Sequence, residues 1–218
     1  MSSIRKEYGE CMKCHKKAPF YLHNSINVGI DPQNKKKVLD MSIFQYCCPY
    51  CGNRHIECYP VLYHDPENEI MIQVLWREED FGQPVGKEEE EMIRLMGHDH
   101  YIRREVFGYW ELIEKIRVFD AGLDDFAIAM LKTVNKTEQP EIKLIFDGKK
   151  GKRLKFLQFK NGEMQPEPDS VYFNKDAYEA AVIMAQKLEK PHEFYEDLRV
   201  DESYFYDDLM NALRQENQ

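Results

Sequence analysis

The chain has 218 residues, a length that allows one large domain or two small ones. Of these residues 43% are hydrophobic, and 13 Tyr, 12 Phe and 2 Trp are among them. This composition provides for a packed core and excludes an intrinsically disordered protein. No apolar run approaches the roughly 18 residues that span a membrane, and the N-terminus has no apolar stretch of the signal-peptide type, so we expect a cytoplasmic protein without membrane contact. Residues 1–60 carry a net charge of +4 and the remainder −13, a balance that does not favour nucleic acid as the partner.

Strands dominate the prediction for the N-terminal part. Alternation of apolar and polar residues predicts strands over 15–30, 42–46 and 54–59, and a hairpin of 59–63 and 69–76 with its turn at 64–68. Residues 31–37 are interpreted as a turn followed by a basic patch. The result is a set of antiparallel strands with two hairpin tips.

Two cysteine pairs, Cys11–Cys14 and Cys48–Cys51, supply those tips, and 33 residues separate them. The spacing inside each pair is typical of a metal knuckle, and four thiolates suit tetrahedral Zn²⁺. Four protein ligands leave no position for a substrate or a water. The pattern therefore predicts one structural zinc ion per chain, held by Cys11, Cys14, Cys48 and Cys51. Nearby residues that can substitute as ligands are His15, Cys47, His55 and Cys58.

The second pair also has the composition of a redox motif, Cys48-Pro-Tyr-Cys51. A redox pair lies at the start of a helix, whose dipole lowers the pKa of the first thiol. Here Gly52 and a strand-like segment follow, which favours the metal knuckle. We expect Cys47 to be a strand residue beside the knuckle, and Cys58 to be a small buried apolar residue.

Helices and a β-hairpin are predicted for the rest of the chain. An acidic linker over 78–91 leads into a short helix with Met92, Leu95 and Met96 on its apolar side. Further helices are predicted over 109–120 and after a cap at Asp124 or Asp125. In the last third, alternation predicts a hairpin of strands 141–146 and 154–159 with its loop at 147–152, followed by a short strand after Asn161-Gly162. A strand is also predicted over 171–173. Two helices complete the chain, one over 175–189 capped by Asn174 and a final one capped by Asp201.

The predicted fold class is therefore α+β. A zinc-ribbon-like antiparallel β region occupies about 1–80, and a helical and β-hairpin region occupies about 90–218. We expect that the two regions can pack as one unit.

The cysteine motifs and several other segments resemble the CpXC domain family, a zinc-ribbon-like group named for its paired cysteines. Besides the two knuckles, the segments that carry the resemblance are Ser25–Val28, Tyr59–Asp65, Glu111–Ile116 and Gly122–Asp125. The first knuckle departs from the family pattern, with Met12 in place of Pro and His15 in place of Gly. The resemblance implies the metal and the fold of the cysteine-bearing region, and it implies no reaction.

Other clusters offer candidate sites, each with a simpler structural interpretation. Tyr63-His64-Asp65 joins an imidazole to a carboxylate, but Asp65 precedes a proline and can close a turn. His98-Asp99-His100 can place two imidazoles on one ion, or form an exposed loop. The basic segment 149–155 can contact phosphates, or protect a strand edge. Asp124, Asp125 and the carboxylates of 196–208 are interpreted as helix caps or solvated helix faces.

We therefore expect a zinc-binding, non-enzymatic interaction or regulatory module with protein partners. One alternative is an enzyme with a site between the two regions, near Tyr59, Tyr63 and His64. Another is a thiol redox protein that uses Cys48 and Cys51. A pocket lined by His64 with an unpaired carboxylate favours the enzyme, a flat apolar patch favours the module, and a helix directly after Cys51 favours the redox protein.

Overall fold

The computed structural model describes residues 2–82, 91, 94–98, 100–166, 169–188 and 199–216. The chain divides into two compact units, Met1–Ile113 and Glu114–Gln218. Most of the predicted linker lies outside the described residues, so the predicted domain division at about 80–90 stays a prediction.

The first unit contains a mixed sheet and a small two-stranded sheet. In chain order its elements are β1 (Ser3–Glu10), β2 (Lys17–Asn27), helix α1 (Gln33–Leu39), β3 (Gln45–Cys47), β4 (Arg54–Ile56), β5 (Val61–Asp65), β6 (Ile70–Leu75) and β7 (Ile102–Phe107). Helix α2 (Gly108–Asp120) follows, and the boundary between the two units falls inside it.

Five strands form the main sheet, in the order β1-β2-β5-β6-β7. The pairs β1–β2 and β5–β6 are antiparallel, whereas β2–β5 and β6–β7 are parallel. The predicted β region is therefore mixed rather than wholly antiparallel, because crossover connections, one of them through α1, return the chain in the same direction. Alternate residues of β6, such as Ile70, Ile72 and Val74, are buried, as expected for one face on a core.

The second unit combines helices with a sheet centred on β9. Its elements are α3 (Asp125–Glu138), β8 (Ile142–Lys150), β9 (Arg153–Lys160), β10 (Glu163–Met164), β11 (Val171–Phe173), α4 (Lys175–Leu188) and α5 (Tyr206–Glu216). Strand β9 pairs antiparallel with β8, β10 and β11. Its core includes Met130, Phe146, Phe156 and Phe205. The α+β fold class is confirmed.

The predicted helix caps have different outcomes. Asp124 caps α3 by accepting hydrogen bonds from the N–H groups of Phe126 and Ala127, and Asn174 accepts one from Ala177 N–H at 2.8 Å. Asp201 instead accepts from Ser203 N–H in a turn, and α5 begins only at Tyr206.

Four further local predictions were wrong. The strand predicted over 42–46 begins only at Gln45, because Met41 has a φ of +60° and Ser42–Phe44 form a short 3-10 helix. The segment 31–37 leads into helix α1, because Lys35 Nζ binds the buried carboxylate of Asp65 at 2.9 Å and so holds this stretch against the sheet. Asp125 is buried rather than solvated, because its carboxylate pairs with Lys115 Nζ at 2.6 Å. Cys58 is exposed, because the Tyr109 hydroxyl donates to the Glu57 carbonyl and accepts from Tyr59 N–H, which directs the chain on both sides of Cys58 inward.

Of the predicted short helix, Leu95 is helical and exposed, and Met92 lies outside the described residues. Among the described residues, no helix has the length and apolar character that a membrane crossing needs.

Candidate metal centre

The four cysteines predicted as ligands come together in the structure. The Sγ atoms of Cys11, Cys14, Cys48 and Cys51 all lie within 4.8 Å of one another, and none of the four forms a disulfide. The first pair occupies the tip of the β1–β2 hairpin and the second the tip of the β3–β4 hairpin. The two tips of the predicted ribbon therefore meet at their sulfur atoms.

The distances between the sulfurs fit a tetrahedral metal site. Cys11 Sγ lies 3.7 Å from Cys51 Sγ, and Cys14 Sγ lies 3.7 Å from Cys48 Sγ. A tetrahedron with Zn–S bonds of about 2.3 Å has edges of about 3.8 Å. The donor set thus has the number, the type and the spacing that a tetrathiolate metal site needs.

The two knuckles share one backbone conformation. The N–H of the first cysteine donates to the carbonyl five residues on, from Cys11 to Lys16 at 3.1 Å and from Cys48 to Asn53 at 2.8 Å. The carbonyl of each first cysteine accepts in turn from the residue four positions on, His15 or Gly52. These two residues have φ values of +56° and +69°. His15 therefore adopts the same left-handed conformation as Gly52.

Backbone N–H groups favour the thiolate form of two ligands. The N–H groups of Cys14 and Lys13 lower the pKa of Cys11. Burial raises the pKa of Cys48, but the N–H groups of Tyr50 and Cys51, together with the side chains of Cys11 and Cys51, outweigh burial and lower that pKa to about 6. Amides that stabilise negative sulfur are already in place at both knuckles.

The thiol of the fourth cysteine, Cys51, differs from those of Cys11 and Cys48 because its pKa is raised. The Asn53 N–H favours the Cys51 thiolate, but burial and the other three cysteines outweigh it and raise the pKa of Cys51 to about 12. Four negative sulfurs this close repel one another, and a bound divalent cation offsets that repulsion. The cluster can therefore bind a metal with loss of protons from its thiols.

Aromatic side chains cover the sulfurs. Cys11 and Cys48 are fully buried and pack with Tyr46, and Phe20 lies against the same cluster. Phe20 and Tyr46 meet edge to face, with ring centroids 5.6 Å apart. These rings shield the centre on one side, as suits a structural site.

The substitute ligands lie outside the tetrad. The imidazoles of His15 and His55 pair with Glu10 and Glu57 instead. Cys47 is the last residue of β3, as predicted for a strand residue beside the knuckle, and its side chain is exposed. Strand β4, rather than a helix, follows Cys51, so the condition that favours a redox protein is not met.

His64 and Asp65 lie at the end of strand β5 and have separate partners. Asp65 closes the following turn by accepting from Glu67 N–H and Asn68 N–H, and it also pairs with Lys35. His64 contacts the side chain of Asn27 at 3.0 Å. Sequence reasoning missed this contact, although a polar residue ending the apolar alternation of β2 was a visible signal. No carboxylate lines the pocket beside His64 among the described residues.

The histidines of the predicted His98-Asp99-His100 cluster contact different residues. The His98 ring packs against His64 and Tyr101, whereas His100 Nε2 lies 3.3 Å from Glu69 Oε1. Asp99 lies outside the described residues. In the described part of the chain, the four cysteines are the only group of three or more His, Cys, Asp or Glu placed to hold one ion.

Basic side chains of the segment 149–155 contact other residues of the second unit. Lys149 donates to the Ala121 carbonyl, and Lys155 pairs with Asp147 at 2.9 Å. Lys150 and Arg153 lie over the Tyr172 ring. Several of these cations thus have partners in the protein, which supports the structural interpretation of this segment.

Comparison with known proteins identifies one family. The model of the CpXC protein family matches residues 10–132, more than half of the chain, and this segment includes all four cysteines of the cluster. No curated protein and no solved structure matches the chain.

Proposed function

The chain belongs to the CpXC family, and on that premise we propose that it is a non-enzymatic interaction module built around one structural zinc ion. The observation that carries the proposal is the tetrad of cysteine sulfurs with edges of 3.7 Å. Four protein ligands close the coordination sphere, so the metal stabilises the fold and offers no site to a substrate. Free thiols at knuckle spacing fit a reducing compartment such as the cytoplasm.

Thiol chemistry tests the metal. The chain has six cysteines, and Cys47 and Cys58 are exposed and outside the tetrad. Protein purified without added zinc should contain one zinc per chain, with two thiols titrating before a chelator is added and four more afterwards. Protein without metal, or with a Cys48–Cys51 disulfide, would contradict the proposal and favour the redox alternative.

An exposed face on the β1–β2 hairpin, apolar except for Lys6 and His23, supports the interaction role. Ile4, Tyr8, Pro19 and Tyr21 share one side of the hairpin, since Tyr8 pairs with Pro19, and Tyr21 pairs with Lys6 between Ile4 and Tyr8. Tyr8 is 67% exposed and Tyr21 64%. Aromatic residues are enriched where proteins contact one another. We call these four residues the hairpin face, and we propose that a protein partner covers it.

A double variant tests the hairpin face. Replacing Tyr8 and Tyr21 by serine should abolish the co-purification of a partner seen with the wild-type chain, without loss of zinc. Replacing the exposed Ile183 by serine in helix α4 is the matched control and should leave the partner bound. A partner retained by the double variant would show that another surface is used.

A further inference from the structure

Strand β1 forms an open edge of the five-stranded sheet. It lies at one end of the strand order, and in the described part of the chain it pairs with β2 alone. Ser3–Tyr8 are all exposed, and the pairing with β2 has no bulge from Ile4 to Glu10. An open edge presents backbone N–H and C=O groups to which another strand can pair. Strand β1 therefore offers a regular edge for a further strand.

Pro19 determines which backbone groups of β1 face outward. In an antiparallel pair, opposite residues alternate between those that exchange two hydrogen bonds and those that exchange none. Pro19 has no N–H and lies opposite Tyr8, so this pair belongs to the second kind. The bond from Cys11 N–H to the Lys16 carbonyl, 3.1 Å long, follows the same alternation. The even-numbered residues over 4–8 thus direct their N–H and C=O groups away from β2.

Charge selects the register in which two β1 strands can pair. Dimers are most often twofold symmetric, and a twofold axis between two copies of one strand makes the pair antiparallel. Outward-facing residues must lie opposite one another, so the two such registers of greatest overlap have the axis at Lys6 or at Glu7. An axis at Glu7 places two carboxylates opposite each other, which is destabilising. An axis at Lys6 places Arg5 of each copy opposite Glu7 of the other.

The remaining side chains fit the axis at Lys6. Arg5 and Glu7 have 47% and 50% of their side chains exposed, and they occupy the pair without hydrogen bonds, where side chains approach most closely. The two Lys6 residues meet at the wider, hydrogen-bonded position. Each Lys6 Nζ lies 5.3 Å from the centroid of the Tyr8 ring on its own strand. On the same face, Ile4 lies opposite Tyr8 of the second copy, so apolar side chains meet.

We propose that two copies of this chain pair through their β1 edges, antiparallel and with the twofold axis at Lys6, so that their five-stranded sheets become continuous. The pairing goes beyond the proposed function, because it uses the strand edge and no cysteine ligand. It brings two hairpin faces side by side, and Pro19 and Tyr21 on β2 stay open to another protein. An interface of one strand pair is small, so we expect a weak dimer with a Kd of about 100 μM.

Sedimentation and amide hydrogen exchange of the zinc-loaded full chain test the proposal. We expect a reversible monomer–dimer equilibrium at concentrations up to about 1 mM. As the dimer forms, the amides of Ile4, Lys6 and Tyr8 should become protected. The amides of Arg5 and Glu7 already bond to β2, and their protection should not change. A monomer at about 1 mM, or a dimer in which the Lys6 and Tyr8 amides stay unprotected, would overturn the proposal.

Charge reversal tests the register. Arg5→Glu places two carboxylates opposite those of the second copy, and Glu7→Arg does the same with guanidinium groups, so each variant should dimerise about tenfold more weakly. Mixed with each other, the two variants should associate at least as strongly as the wild type, because every opposite pair then joins unlike charges. Lys175→Glu reverses an exposed charge on α4 and is the matched control that should leave dimerisation unchanged.

The mixing experiment separates pairing from folding. A variant that fails to fold cannot be rescued by a second variant that also fails, so association of the mixture requires two folded β1 edges. Unchanged dimerisation of both single variants, or a mixture that stays monomeric, would contradict the axis at Lys6. Zinc content and binding of a partner to the hairpin face are measured separately on the same proteins, so failure of the dimer is distinguished from failure of the proposed function.

Discussion

His15 and Gly52 occupy the same position in the two knuckles, and both have positive φ. Glycine adopts this conformation freely, whereas a residue with a Cβ is strained by roughly 1–2 kcal/mol. An added Cβ at Gly52 meets no atom within 4 Å, so backbone strain alone should decide the effect of Gly52→Ala. We expect this variant to lower the free energy of unfolding of the zinc-loaded protein by about 1 kcal/mol.

The matched change at the first knuckle should act in the opposite direction. His15→Gly relieves the strain but adds backbone entropy to the unfolded chain, so we expect a gain of about 0.5 kcal/mol. The contact between His15 and Glu10 is exposed and contributes little. Denaturant unfolding of both variants measures these effects, and equal losses in the two would contradict a shared knuckle conformation.

The Nδ2 atom of Asn27 donates to His64 Nδ1, because the Oδ1 atom of the same amide accepts from Gly29 N–H and Ile30 N–H. One isosteric substitution at Asn27 should therefore change the pKa of His64. In the wild type the lowered pKa of His64 means that the unfolded chain binds more protons below about pH 6.5, so this group's contribution to stability is lost as pH falls below that value. The Asn27→Asp carboxylate can accept from Nδ1–H and should raise the pKa of His64 above about 6.5.

In that variant the imidazolium stabilises the fold below pH 6.5, and the stabilisation is lost as pH rises through the new pKa. Among the described residues, the charged groups near His64 are His98 and Asp65, and Asp65 is already paired with Lys35. The N-terminal amine also lowers the pKa of His64, and it is the same in both proteins. NMR titration of the His64 ring in both proteins measures the change. An unchanged or lower pKa of His64 in Asn27→Asp would contradict the contact between these two side chains.

At the scale of elements, buried ion pairs join the helices of the second unit. Lys132 Nζ on α3 lies 2.7 Å from Glu114 Oε2 on α2, and both residues are almost fully buried. The other oxygen of Glu114 accepts from Phe146 N–H on β8 at 2.7 Å. One carboxylate thus connects two helices and a strand.

Lys132→Met should therefore destabilise the protein by about 3–5 kcal/mol, because it leaves the buried Glu114 carboxylate without its closest cation. Adding Glu114→Gln removes the charge and keeps an acceptor for Phe146 N–H, so the double variant should recover part of the loss. Thermal unfolding of the two single variants and the double variant measures this coupling. Additive losses would contradict it.

An element could be predicted from sequence when its pattern of apolar and polar residues reflects which of its side chains are buried. The 109–120 helix was predicted because its apolar residues recur with the helical period, and the 59–63/69–76 hairpin because its apolar residues alternate with the period of a strand. Strand β1 was missed because it lies at a sheet edge with nearly every residue exposed. Strand β7 was missed because Arg104 is buried at a position where an apolar residue would mark the alternation.

The site was more predictable than its surroundings. Ligand type and CxxC spacing are local properties, so Cys11, Cys14, Cys48 and Cys51 could be grouped without knowing the fold. The lysine that holds α1 against the sheet and the amide that contacts His64 act through contacts between distant segments, Lys35 with Asp65 and Asn27 with His64. Such contacts depend on which strands become neighbours, and this cannot be read from one segment.

At the scale of the whole molecule, the family segment ends inside the second unit. Residue 132 lies in α3, whereas β8 and β9 follow it. Met130 of α3 shares a core with Phe146 and Phe156 of those strands. A chain cut after residue 132 should therefore expose this apolar face and aggregate. Light scattering of the truncated chain beside the full chain measures this, and a monodisperse truncated chain would show that α3 needs no second-unit core.

Metal removal should destabilise the two cysteine-bearing hairpins more than the rest of the chain. The β3–β4 sheet has only two strands of three residues each, and a sheet of this size is not stable by itself in water. The four sulfurs join it to the β1–β2 hairpin, and structural zinc contributes roughly 10–16 kcal/mol of apparent binding free energy. Strands β5 and β6 have a buried apolar core of their own.

Hydrogen exchange should accordingly show that a chelator removes amide protection first in β3, β4 and the tip of β1–β2, while β5, β6 and α3 stay protected. Cys48→Ser removes one ligand and should reproduce the chelated pattern without a chelator. Cys47→Ser changes the adjacent exposed thiol, which lies outside the tetrad, and should keep the zinc-loaded pattern. If both serine variants behave alike, or if chelation leaves β3 and β4 protected, the cysteine tetrad is not what holds the two hairpins together.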